Sequence, residues 1–253
     1  MELEVCIDSV ESAAAAAKGG ADRIELCSAL SEGGITPSSG LIRAVREAAG
    51  IELYVIIRPR GGDFVYSEHE LDVMRRDIVA AKEYGANGVV LGVLKPDNTV
   101  DRERTGELVE LARPLHVTFH RAFDACRDFN QALEDVIACG ADRLLTSGGR
   151  PVAAKGLKTI AGLERQAGGR IRIMAGGGIR ISNVRTIALR TGIHEVHSSL
   201  STTVKSAAYD GGADGKDLQG GFTRFVVRED EVRKFKAALR EIALETEARD
   251  PIQ

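Results

Sequence analysis

The sequence predicts an α/β protein, a single parallel (β/α)8 TIM barrel, and three observations carry that prediction. Apolar runs of strand length alternate with longer stretches of helical period, eight such units can be counted, and they recur about every 32 residues. A parallel sheet with crossover helices requires this alternation, which an all-β or all-α fold does not produce. At 253 residues the chain has the length of one such barrel, so one domain over 1–253 is expected.

The first unit joins a strand at Leu3 to Ile7 to a helix near 9–19. The Ala13 to Ala17 run favours that helix, and Gly19-Gly20 supplies the left-handed residue that ends it. The second unit runs from Arg23 to Cys27 into a helix near 38–49. The third runs from Leu53 to Arg58 into a helix near 67–84, where Ser67 and Glu70 have capping-box spacing and Gly85 closes the element. The fourth combines Gly88 to Gly92 with 101–112. The fifth combines His116 to His120 with 128–139, opened by Asp128 and closed by Gly140. The sixth joins Arg143 to Ser147 and 153–167. The seventh joins Arg170 to Met174 and 181–191, with Ser182 as an N-cap type and Gly192 after the last turn. The eighth strand, Glu195 to Ser198, is separated from a last helix near 229–247 by a Gly/Ser-rich stretch at 198–224. Loops of that length are lids or mobile segments, and a place at the catalytic face of a barrel suits a lid.

Composition narrows the function. With 43% hydrophobic residues, 28% charged and a net charge of −3, a soluble globular chain with a sizeable core is expected. Only 4% of residues are aromatic and Trp is absent, so no basic stripe interleaved with stacking rings is available and nucleic acid is not the expected partner. No apolar run approaches the roughly 20 residues that cross a bilayer, and MELEVCIDSV lacks the layout of a secretory signal. A cytoplasmic protein without a membrane partner is expected, in which Cys6, Cys27, Cys126 and Cys139 stay thiols.

Strand alternation then decides what fills the barrel. If Leu3, Val5, Ile7, Ile24, Leu26, Val117 and Phe119 face the helices, then Glu4, Cys6, Asp8, Arg23, Glu25, Cys27, His116, Thr118 and His120 point inward. Arg172, Met174, Glu195 and His197 join them. A structural barrel interior is dominated by Val, Ile and Leu, whereas this one gathers charge, thiols and imidazoles. The deeper members Glu4, Arg23 and Arg172 read as an ion-pair network, since unpaired buried charge is costly. The members at strand C-termini, Cys6, Asp8, Glu25, Cys27, Arg58 and His120, read as a site.

Within it, Cys6 and Cys27 fall at equivalent heights on neighbouring strands, and two soft thiolates select Cu(I), for which two-coordination suffices. Zn would need more ligands and would recruit His120 or His197. Two small polarizable side chains packing a barrel is the other reading of the pair. Cys126 and Cys139 read as packing. A second constellation suits a small anion, phosphorylated in one form of the reading. Arg58 and Arg60 with Asp63 leave the third strand as a clamp, and His120 with Glu25 has the types of an acid-base pair. Gly176, Gly177 and Gly178 with Ser198 lie after strands seven and eight, where barrels bind phosphate.

The segments EVCIDS at 4–9, ADRIELCSALSEGG at 21–34, IRPRGGDF at 57–64, VTFHRAFD at 117–124, LLTSGG at 144–149 and AGGGI at 175–179 together resemble the CutC family, named for copper homeostasis. The resemblance spans residue 1 to about 200. It implies a cytoplasmic TIM barrel that binds or handles Cu(I) through cysteines matching Cys6 and Cys27, and a homo-oligomer, with a dimer as the expected form. The copper reading uses two thiols. The rival reading, a barrel enzyme acting on a small anionic metabolite through Glu25, His120 and Arg58, gives work to the remaining polar residues as well.

Overall fold

A computed structural model describes residues 1–205 and 223–249. Eight parallel strands close into a barrel in sequence order, β1 (Glu2–Ile7), β2 (Arg23–Leu26), β3 (Glu52–Ile56), β4 (Gly88–Leu91), β5 (His116–Phe119), β6 (Arg143–Thr146), β7 (Arg172–Ala175) and β8 (Glu195–Ser198). Closure is made by β1, which pairs with β2 on one side and β8 on the other. Helices α1 (Val10–Gly19), α2 (Ser39–Ala48), α3 (Glu68–Glu83), α4 (Arg102–Ala112), α5 (Phe129–Ala138), α6 (Leu157–Ala167) and α7 (Val184–Thr191) form the outer ring. After β8 the chain adds an antiparallel hairpin of β9 (Ser201–Lys205) and β10 (Thr223–Val227), then α8 (Glu229–Arg249), which packs against α1 and α7 and completes the ring.

The helix ends follow the local chemistry. Ser67 accepts from the Glu70 backbone N–H while the Glu70 carboxylate accepts from the Ser67 N–H, the reciprocal cap that the spacing predicts. Asp128 caps α5 through the N–H groups of Asn130 and Gln131. Gly20, at φ +88°, ends α1 and returns its N–H to the last turn. Ser182 does not cap α7. Asn183 precedes the helix, and its amide instead joins the Gly178 carbonyl and the Arg180 N–H, so the chain turns one residue later than the hydroxyl suggested.

Strand parity is as the alternation requires. Leu3, Val5, Ile7, Ile24, Leu26, Val117 and Phe119 are buried against the helices, where Ala13, Ala16, Ile42, Val45, Leu71 and Met74 meet them. Each such Val, Leu or Ile contributes about 1.5–3 kcal/mol by leaving water. Two boundaries differ from expectation. The sixth helical stretch divides into a short 3-10 turn, Ala153–Lys155, and α6. Of the stretch expected to be one long loop, 201–205 and the start of β10 form the hairpin, in which Thr202, Thr203 and Val204 pair with Val226, Phe225 and Arg224. The remainder of that lid segment lies outside the described residues.

The inward side chains sort by height. Low in the barrel, the Arg23 guanidinium donates to Glu4 at 2.5 Å and to Glu195 at 3.1 Å, and Arg143 also pairs with Glu195. Both guanidinium groups stack on the Tyr54 ring, at 4.8 and 5.5 Å from its centroid. Arg172 reaches Glu195 at 3.1 Å but from the exposed rim of this lower end. The expected network is therefore real, with Arg143 as a full member and Arg172 as a peripheral one. Among the described residues, no helix is long and apolar enough to cross a membrane.

Candidate functional site

The strands carry a polar cluster upward from this network into a cavity of about 440 Å³, lined at its floor by Cys6, Glu25, Cys27 and His197. Register explains the grouping. Cys6 pairs directly with Glu25 across β1 and β2, and Cys27 follows two residues on, on the same face. The Cys6 and Cys27 sulfurs lie 3.6 Å apart, and both thiols are buried and free of disulfides. One oxygen of Glu25 joins the two sulfurs within a span of 4.8 Å, and Glu4, Glu25 and His197 form a second group of the same size.

Protons are distributed unevenly over this cluster. The Cys27 thiol hydrogen bonds to Cys6 and, against the opposing effect of burial, with help from His197, holds Cys6 down at about 6. The same bond, together with burial, pushes Cys27 well above the ordinary thiol range. Burial would lower His197, but its bonds to Cys6 and Glu4 and the surrounding carboxylates raise it well above the ordinary imidazole range. His197 Nδ1 lies 2.7 Å from Glu4 and Nε2 lies 3.7 Å from Glu25. Burial also raises Glu4, yet Arg23 and then His197 outweigh it and hold that carboxyl at about 2. For Glu25, burial comes first and, reinforced by Cys6 and Glu4, outweighs the opposing pull of His197 and raises the carboxyl well above the usual carboxylate range. The floor thus combines a Cys6 thiol shifted toward its thiolate and a His197 ring shifted toward its charged form with a Cys27 thiol and a Glu25 carboxyl both shifted toward their protonated forms.

Higher on the wall stand Arg58, Phe64 and His120, and at the mouth Arg121, Gly177, Gly178, Arg180, Ser198 and Ser199. The cavity therefore gathers Cys6, Cys27, Glu25, His120, Arg58, Gly177, Gly178 and Ser198 of the residues expected from sequence. Arg60, Asp63 and Gly176 are not part of its lining. Arg60 turns away to Glu70 at 2.5 Å, to Asp63 at 3.0 Å and to the Val65 carbonyl, so the pair pins its own loop. Gly176 is pressed against Leu145, whose Cδ1 lies 2.5 Å from where a Cβ would sit. Asp8 also stays outside the lining, half-buried, with burial raising its carboxyl. Ser198 spends its hydroxyl on the Ile179 carbonyl at 2.8 Å.

One assigned role changes with this geometry. Arg58 is not an open clamp, because Nη1 donates to the Glu32 and Gly34 carbonyls and Nη2 to that of Gly62, and those bonds tie the second and third βα loops together. Glu25 and His120 both line the cavity, and the imidazole facing Glu25 at 3.7 Å is that of His197. The floor's fourth member, His197, was visible through β8 parity as an inward residue. Arg121 follows His120 in the segment VTFHRAFD and is held by Asp124 at 2.7 Å, whereas Arg180 follows β7 in an irregular segment where alternation gives no direction. Cys126 and Cys139 lie elsewhere, and burial pushes their thiols up to about 12 and about 11, in keeping with a packing role.

Known proteins share this arrangement of sequence and fold. The model of the CutC family matches residues 1–202. A human protein named copper homeostasis protein cutC homolog is 51% identical over 201 residues, covering 79% of this chain and 74% of its own length. A CutC family protein of Chromobacterium violaceum is 46% identical over 240 residues, 94% of this chain and 97% of its own. Among solved structures, CutC from Streptococcus agalactiae superposes with a TM-score of 0.74 at 35% identity, over 79% of this chain and 98% of that one.

Proposed function

The chain belongs to the CutC family, and on that premise we propose that it is a copper-binding protein of copper homeostasis, with Cu(I) held by Cys6 and Cys27. The observation that carries the reading is the buried pair of thiols 3.6 Å apart with the Glu25 carboxyl beside them. The donor set is soft, as Cu(I) prefers. The spacing also refines the ligand set. With metal–sulfur bonds of about 2.3 Å, a linear site would need sulfurs about 4.6 Å apart, and the observed separation instead corresponds to a bent S–metal–S angle on the order of 100°. A bent pair leaves room for a third donor, and Glu25 supplies the nearest one. Binding displaces the Cys27 proton and the proton of the raised Glu25 carboxyl, while the Cys6 thiolate releases none. Reduced thiols at the floor suit the reducing cytoplasm, and a homodimer is part of the reading, supported by exposed Val204 and Phe225 on the hairpin.

Anaerobic titration with Cu(I) against a competing chelator tests this. One ion per chain is expected, with affinity falling by at least about two decades in the Cys6→Ala/Cys27→Ala double variant, because even outer contacts of metal ligands carry 10–100-fold. Equal affinity in the two proteins would remove the reading.

One observation favours a second reading, an enzyme for a small anionic metabolite. A cavity of about 440 Å³ is far larger than an ion needs and lies within the range of small-molecule sites. Its lining carries Arg180 and the Gly177-Gly178 backbone, with Arg121 beside them held by Asp124, and a Glu25 carboxyl that burial raises. Mass spectrometry of small molecules released from protein purified without added metal is expected to find an anionic metabolite on this reading, and its absence would count against it.

A further inference from the structure

The His120 side chain presents a feature that neither thiols nor rim explain. The residue is 5% exposed and lines the cavity, yet its Nε2 has no hydrogen-bond partner. Its other nitrogen is committed, since Nδ1 accepts the Ala122 backbone N–H at 3.2 Å. An acceptor nitrogen carries no proton in the neutral ring, so the proton resides on Nε2. The ring is held in this orientation from several sides. The Phe64 centroid lies 4.9 Å away, the Phe119 ring meets it edge-on at 6.1 Å, and the Nδ1 edge sits over Gly92, where a Cβ would come within 2.7 Å of it. Rotating the ring to find another partner would turn a carbon toward the Ala122 N–H.

We propose that His120 is a neutral donor of fixed tautomer whose Nε2–H receives a carbonyl or carboxylate oxygen of a small organic anion, while Arg180 at the mouth takes the anionic end. Burial, and then the neighbouring Arg58 cation, hold the imidazole at about 3, which keeps it uncharged at neutral pH. Such a ring polarises an oxygen without removing a proton, so it does electrostatic rather than basic work. A buried donor without a partner is costly, and an arriving ligand oxygen relieves that cost. Arg180 is exposed and lines the cavity, and its Nη1 donates to the Ile179 carbonyl at 3.0 Å and to the Ser199 hydroxyl at 3.5 Å. This inference rests on the anionic-metabolite reading and names the oxygen that the site recognises.

The test uses full-length protein with 15N-labelled histidine at pH 7, observed by two-bond 1H–15N correlation. Without ligand, His120 is expected as the neutral Nε2–H tautomer. An imidazolium or an Nδ1–H tautomer overturns the proposal. Titration with pyruvate, phosphoenolpyruvate and inorganic phosphate follows. An organic probe is expected to shift the Nε2–H resonance and to bind about tenfold or more weakly to His120→Phe, while inorganic phosphate keeps its affinity for that variant. His120→Gln, which retains an N–H donor, is expected to recover part of the loss, and a variant as weak as His120→Phe counts against the donor role. Binding of organic probes with Nε2 unmoved overturns the role of His120 and leaves the anion reading standing. No binding by any probe overturns both.

Discussion

The two ends of the barrel interior are built from similar residue types and differ in how those residues are satisfied. At the lower end, Arg23, Arg143, Glu4 and Glu195 interlock with Tyr54, and each charge faces an opposite one. At the upper end, the Cys6 and Cys27 sulfurs share one hydrogen bond, a carboxyl that burial raises stands beside them, and the His120 Nε2 has no partner. Paired charge is a structural plug, and unpaired capacity is what a ligand uses. Burial alone does not separate the two, because Glu4 and Cys6 are both inside. Partner count does.

That contrast breaks most visibly under substitution. Glu195→Ala removes the acceptor shared by Arg23, Arg143 and Arg172 and leaves the buried Arg143 cation without its carboxylate, whereas Arg23 keeps Glu4. A loss of about 3–5 kcal/mol is expected from urea unfolding, whereas Cys6→Ala/Cys27→Ala is expected to cost about 1–2 kcal/mol through lost packing alone. A double cysteine variant as damaged as Glu195→Ala would show the upper cluster to be structural too.

Chemical reactivity sharpens the upper half of the comparison. The Cys6 thiolate fraction rises with pH through about 6, well below the ordinary thiol value. Its iodoacetamide rate is therefore expected to be half-maximal near pH 6, and His197→Gln, which removes a group that stabilises the thiolate, is expected to move the midpoint upward. A midpoint at the ordinary thiol value in the native protein would contradict the proton inventory of the floor. The smallest effect belongs at the lower rim. Arg172 is largely exposed at 63%, so Arg172→Ala is expected to change stability by about 0–1 kcal/mol. A larger loss would make Arg172 a member of the plug.

Legibility in the sequence followed the regularity of the backbone. Alternation along β1, β2 and β8 placed Glu4, Cys6, Arg23, Glu25 and His197 inside, because one strand period fixes direction without any tertiary information. Loops carry no such rule. Arg58 and Arg60 sit two residues apart on the same segment, yet one ties neighbouring loops through backbone carbonyls and the other reaches Glu70 at the head of α3. Backbone acceptors leave no mark in residue type, so the clamp expected from Arg58 and Arg60 was not decidable from the sequence. His120 was legible as a site residue, but its role was not, since the Ala122 N–H sets the tautomer. The hairpin has a readable signal, the β-branched run Thr202-Thr203-Val204, which pairs with Val226, Phe225 and Arg224.

X-ray absorption at the copper edge of protein loaded with one equivalent of Cu(I) tests the central claim most directly. The account predicts two sulfur neighbours at about 2.3 Å with one light scatterer from Glu25, and loss of that third shell in Glu25→Leu. A first shell of nitrogen and oxygen without sulfur would contradict it.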